Sequence, residues 1–158
     1  MKPRTGTIAI TLLVGIASFL LTRVIWPDAE GGPQPTDTQL VLLILLGVID
    51  SLLFGLGAAF LVYGLPLVRR FAGAGRLAWL TYLGIAFQLL SWWPHSNLHR
   101  VAGDDFGALV LIDYGFHVPL QIGALAMAVF FVAAARGALQ ARRAEPAASS
   151  AVASPAPA

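Results

Sequence analysis

The stretch Trp92 to His117, WWPHSNLHRVAGDDFGALVLIDYGFH, holds all three histidines of the chain, His95, His99 and His117, together with Asp104, Asp105 and Asp113. Imidazole and carboxylate bind divalent metals without help from sulfur, and imidazole also carries protons near neutral pH. On a helix, residues four apart share a face. Asp113, His117 and Gln121 therefore form one polar stripe, and Ser91, His95 and His99 another, with Gln88 a turn earlier.

The two stripes fall on consecutive apolar segments joined by a short loop, which pack as antiparallel neighbours. In that register Ser91 meets Gln121, His95 meets His117, and His99 meets Asp113. Counting helical rise from the opposite ends gives the same answer. At about 1.5 Å per residue, His95 and His117 each stand roughly 27 to 29 Å from the basic side of the bundle. Asp50, in LLGVIDSLLFG, sits near the middle of the preceding apolar segment and reaches a similar depth. An ionisable group there costs about 2.5 to 3.5 kcal/mol on insertion scales, so it must face the bundle and have a partner. Asp50 and Asp113 together balance a divalent metal held by neutral imidazoles.

The expected site is therefore a divalent transition metal near the outer leaflet, ligated by His95, His99, Asp113 and His117 with Asp50 beneath. Zinc, copper, iron, nickel and manganese all suit these ligands. Such a set leaves a position for water or substrate, as in a membrane metalloenzyme or a metal-handling accessory subunit. Haem fits less well, because His95 and His117 on directly packed helices leave little room for a macrocycle. Two other readings use the same residues. Without metal they make a proton relay or a transport component. As helix-fastening hydrogen bonds and an interfacial belt beside Trp92 and Trp93, they belong to a structural or partner-binding membrane protein. Substrate, reaction, oligomeric state and any partner subunit stay open.

These groups need a scaffold, and the composition says which kind. The 158 residues are 58% hydrophobic and 11% charged, with a mean hydropathy of +0.77. Soluble domains carry about 25% charged residues, so the chain belongs in a lipid bilayer. A helix crosses one with roughly 20 apolar residues. Four segments qualify: 7–26, 39–65, 77–93 (reaching full length if it extends past Pro94 to 100) and 109–135. The fold expected is an all-α, integral membrane four-helix bundle, up-down-up-down, with 136–158 as a disordered cytoplasmic Ala/Pro/Ser tail.

Orientation follows from the basic residues, which favour cytoplasmic ends. Lys2, Arg4, Arg69, Arg70, Arg76, Arg136, Arg142 and Arg143 fall on one side. Arg23 and Arg100 fall near the other, where Asp28, Glu30, Asp37, Asp104 and Asp105 collect. Both termini are expected in the cytoplasm of a plasma (inner) membrane protein. The net charge of +2 thus reports topology and implies no nucleic-acid partner. Lys2 and Arg4 resemble a signal-peptide n-region, but RVIWPDAEGG after the apolar run lacks a small-x-small cleavage site, so the first segment is read as a span.

Local signals complete the picture. Cysteine is absent, which excludes disulfides, thiolate ligands and thiol redox chemistry. There is no phosphate loop or serine elbow. Gly47, Ser51, Gly55 and Ala59 form a small-residue line suited to close helix packing. Asp104 and Asp105 are placed to cap the last span. Pro119 cannot bond to the carbonyl of Gly115, so a local break is expected beside His117.

Overall fold

In the computed structural model the chain is all-α. The structure describes residues 3–27 and 35–152, with side chains over 4–27 and 35–140. Lys2, Asp28 and Glu30, and the side chains of Arg142 and Arg143, lie outside what is described. The helices are α1 (Pro3–Ile25), α2 (Asp37–Ala72), α3 (Arg76–Ala102), α4 (Phe106–Ile112) and α5 (Val118–Val152). A π-helical turn, Asp113–His117, joins α4 to α5 without a break, so these three make one rod. The four rods pack in chain order, α1 on α2, α2 on α3, and α3 on the fourth.

Helix ends are set by short-range chemistry. Thr36 and Gln39 form a reciprocal capping box at the start of α2. Gly73, at φ 72°, turns the chain out of α2 through a conformation that residues with a Cβ adopt at a cost. Gly103, at φ 52°, does the same after α3, and its N–H bonds the carbonyl of His99 at 3.1 Å. Asp105 then caps the fourth rod, its Oδ1 accepting from the amides of Gly107 and Ala108 at 2.9 and 3.2 Å. The cap expected of the acidic pair is thus supplied by Asp105. This tight α3–α4 turn is what brings the two histidine-bearing helices side by side.

Among the described residues, three helices are long and apolar enough to cross a membrane: Arg4–Ile25, Asp37–Ala72 and Phe106–Gln140. Their large side chains face outward, Leu13, Val24 and Leu111 each more than 70% exposed, as a bilayer allows because lipid replaces a buried core. α3 is not among the three. It continues unbroken through Pro94 to Ala102, and its last half carries Ser91, His95, Ser96, Asn97, His99 and Arg100. Ser91 and Asn97 are buried, together with Thr81 and Gln88, so this helix turns its polar groups inward between α2 and the fourth rod.

The last helix runs on to Val152, where the sequence reading placed a disordered tail from Arg136. Over 136–152 the backbone continues that helix. The segment is rich in Ala with Arg, Gln and Glu, which have high helix propensity, and lack of a large apolar face does not prevent continuation of an existing helix. Residues 153–158 of the same expectation lie outside the described residues.

The small-residue line on α2 does what its spacing suggested. Ser51 and Ala59 are 1% and 0% exposed, and Gly55 meets the backbone of α1 at Thr11 and Gly15. A Cβ at Gly55 lands on the carbonyl oxygen of Thr11 and 2.8 Å from the amide nitrogen of Gly15. Both are backbone atoms, which cannot swing away. Gly55→Val is therefore expected to cost about 1–3 kcal/mol or more through forced separation of α1 from α2. Gly47→Ala, whose Cβ meets only the Phe19 ring at 3.7 Å, should stay within about 0.5 kcal/mol of wild type. Thermal unfolding of both variants in detergent checks the contrast, and equal midpoints would refute the close crossing.

The histidine end of the bundle is tied by polar bonds between α1 and α3. Trp93 Nε1 donates to Thr22 Oγ1 at 3.0 Å, and Arg100 donates to the carbonyl of Trp26 at 2.7 Å and to Asn97 Oδ1 at 3.1 Å. A guanidinium at the last carbonyls of α1 also complements the helix dipole. These bonds hold the C-terminal half of α3 against α1, leaving its other side to the fourth rod.

Candidate metal centre

The histidines come from two helices. α3 presents His95 and His99 one turn apart, on a face that meets the fourth rod. Gln88, buried on the same helix, donates its amide to the carbonyl of Leu120, and Gly84 lies against Gly123 and Ala126, where small residues let the backbones approach. These contacts fix the register below the histidines.

Above them the fourth rod changes its winding. Val118 N–H bonds the carbonyl of Asp113, five residues back, and Asp113–His117 forms a π turn. Pro119 follows directly and has no N–H to give to the previous turn. The break expected from Pro119 thus takes the form of one wide turn. Such turns are rare and concentrate at functional sites. Here the π turn carries both the acid and the imidazole of its stripe.

The three imidazoles converge. His95 Nε2 lies 2.7 Å from His117 Nε2, and His99 Nε2 lies 3.4 Å from the same atom. All three ligand atoms fall within 4.8 Å of one another. Ring centroids are 4.7 Å apart for His95 with His99 and for His95 with His117, and 5.3 Å for His99 with His117. On the far side of its ring, His117 Nδ1 stands 2.5 Å from Asp113 Oδ1.

This geometry tests a metal directly. Three nitrogens each about 2.0–2.1 Å from a tetrahedral ion lie about 3.4 Å from one another. The separations of 2.7 and 3.4 Å from His117 Nε2 and the 4.8 Å bound on the whole set bracket that value, so small ring rotations would bring all three to one point. A neutral His117 that donates Nδ1–H to Asp113 has one Nε2 lone pair, while two other rings aim at it. A cation at the centre satisfies all three nitrogens, which a single shared proton does not. No width for a macrocycle exists between nitrogens 2.7 Å apart. The donor set fits a bare ion. Comparison with protein-family models, curated proteins and solved structures finds no match to this chain. The site therefore stands on its own chemistry.

The five residues expected at the site separate into roles. His95, His99 and His117 are the group able to hold an ion among the described residues. Asp113 sits against His117 on the ring nitrogen that faces away from the centre, where it orients the imidazole. Asp50 is 4% exposed on α2 and accepts a hydrogen bond from Ser96 of α3, apart from the three-histidine group. Of the paired stripe, His95 with His117 is realised, His99 approaches His117 more closely than the register foresaw, and Gln121 is exposed and takes no part.

Two neighbours escaped the sequence reading. Ser96 follows His95 and bonds Asp50, a pairing that depth alone cannot reveal because it depends on which way α2 is rotated. Phe116 lays its ring 5.8 Å from that of His95. An aromatic beside a histidine on an apolar helix gives no sequence signal of its own.

Proposed function

We propose that this protein is a multi-pass plasma membrane protein whose four rods all cross the bilayer with both termini in the cytoplasm, and that it holds one divalent transition metal near the outer leaflet. His95, His99 and His117 are the ligands. Asp113 fixes the His117 ring, and Asp50 supplies a buried carboxyl group at a distance. The observation that carries this reading is the meeting of three imidazoles, each offering a ring nitrogen within 4.8 Å of the others, with a carboxylate behind one ring.

Three histidines leave a fourth position for water or substrate, the arrangement of catalytic rather than structural zinc. A bound ion there acidifies its water or polarises an oxygen of a substrate. Zinc suits a tetrahedral three-nitrogen set best; copper and iron are the next candidates by ligand type. The functional class that follows is a membrane metalloenzyme, with a metal-handling subunit as the form it takes if no substrate turns over.

Elemental analysis of detergent-purified protein from metal-replete cells tests this. Wild type is expected to carry about one equivalent of a transition metal and His117→Ala almost none, since the central imidazole is lost. A wild type without stoichiometric metal overturns the proposal. A second reading has its own support: His95, His117 and Asp113 form a continuous hydrogen-bonded chain, which is what a proton relay requires. Metal-free protein that conducts protons into liposomes regardless of chelators would establish that reading instead.

A further inference from the structure

Beside the histidine cluster, a cleft of ≈ 420 Å³ opens between the outer ends of α3 and the fourth rod. Its walls are Leu98, Val101 and Ala102 from α3 and Leu111, Ile112 and Phe116 from the other side. Its volume falls within the about 300–1,000 Å³ of small-molecule sites. Asp105 is the charged residue on its lining, at the turn end, and its Oδ1 is already held by the amides of Gly107 and Ala108. Nothing else on the lining offers a side chain that recognises a polar molecule.

Phe116 links the cleft to the imidazoles. It lines the cleft, and its ring lies 5.8 Å from that of His95 at 42°. A molecule in the cleft therefore has hydrocarbon along its walls, with the Phe116 ring standing between it and the imidazole of His95. A water-borne polar substrate would find no partners on such walls and would lose its hydration. An alkyl chain arriving sideways from the bilayer gives up nothing polar.

We infer that the cleft binds the hydrocarbon chain of an amphiphile from the lipid phase and delivers its oxygen-bearing head to the open position of the metal. This rests on the metal reading and specifies its substrate class. The cleft is the chain site, Phe116 is the gatepost between chain and head, and the ion takes the head.

The test uses full-length protein in detergent loaded with cobalt(II), whose visible spectrum reports its own coordination. Two probes share a chelating head and differ in chain length, acetohydroxamate and decanohydroxamate. The long probe is expected to bind wild type at least about tenfold more tightly than it binds Val101→Trp or Ala108→Trp, which fill the cleft. Both variants should bind cobalt and acetohydroxamate as wild type does. Two variants are used because either alone can disturb folding, and the cobalt spectrum reports whether each has folded around its site. A spectrum with no advantage for the long chain sinks this inference alone, as does an advantage that survives filling the cleft. Absence of any cobalt spectrum sinks the metal reading and the inference together.

Discussion

Acidification is expected to strip the metal from the three-histidine centre with a dependence steeper than one proton per ion. The sign follows from the chemistry. Imidazole binds metal only when neutral, so every ligand that picks up a proton must release the ion first, and binding releases protons in return. Three nitrogens converge within 4.8 Å, and as the pH falls they also acquire like charges at that distance. Protonated rings so close repel one another, and the ion that held them together is lost. In the acid range each unit of pH is expected to lower the apparent affinity by more than about tenfold and by up to about a thousandfold. Metal titrations at several pH values measure the slope directly.

The same experiment on His95→Ala separates three ligands from two. His95 makes the closest approach to His117, at 2.7 Å. Its loss is expected to weaken binding by about a hundredfold or more, beyond the about 10–100-fold that follows from removing a group outside the metal's own ligands, and to flatten the pH dependence. A wild-type slope of one proton or less, or an alanine variant that keeps its metal, shows that a single histidine held the ion and that the convergence plays no part in binding.

Much of this site was legible from residue types and spacing, for a definite reason. Antiparallel neighbours joined by a short turn have a nearly forced register, so His95 opposite His117 followed from position alone. Side-chain direction was harder. The i, i+4 rule placed Asp113 beside His117 correctly, but no spacing argument tells a carboxylate on Nδ1 from one on the ion. The choice depends on how the ring is turned. Asp50 shows a related gap. Its depth was computable from rise per residue, whereas its partner Ser96 depends on the rotation of α2 about its own axis, which the Gly55 crossing against α1 sets. A helix apolar on nearly all sides carries little periodic signal to reveal that rotation.

The π turn was half legible. Pro119 announced a missing hydrogen bond, and a kink was the ordinary consequence. Absorbing it in one wide turn instead adds a residue to the rod between Ile112 and Val118, so everything before it is rotated relative to α5. α3 is the mirror case. Continuation past Pro94 was open from the sequence, and the helix does run on to Ala102, where polar contacts from Trp93, Asn97 and Arg100 hold the turns around and beyond it in place.

Asp113→Ala is expected to weaken metal binding by about 10–100-fold while leaving the ligand set unchanged. Asp113 Oδ1 lies 2.5 Å from His117 Nδ1, so it selects the tautomer whose Nε2 carries the lone pair and turns that nitrogen toward His95 and His99. Without it the ring is free to rotate or to place its proton on Nε2, and each option removes a ligand for part of the time. Asp113→Asn should fall between wild type and alanine, since an amide oxygen still accepts from Nδ1–H but lacks the charge that strengthens the bond. The side chain of Asp113 is 58% exposed, so neither change leaves a buried cavity and the fold should persist. Cobalt spectra decide the role. An orienting group leaves the saturated spectrum of all three proteins alike and shifts only the concentration needed to reach it. A ligand changes the spectrum itself, and that result would return Asp113 to the metal's own coordination.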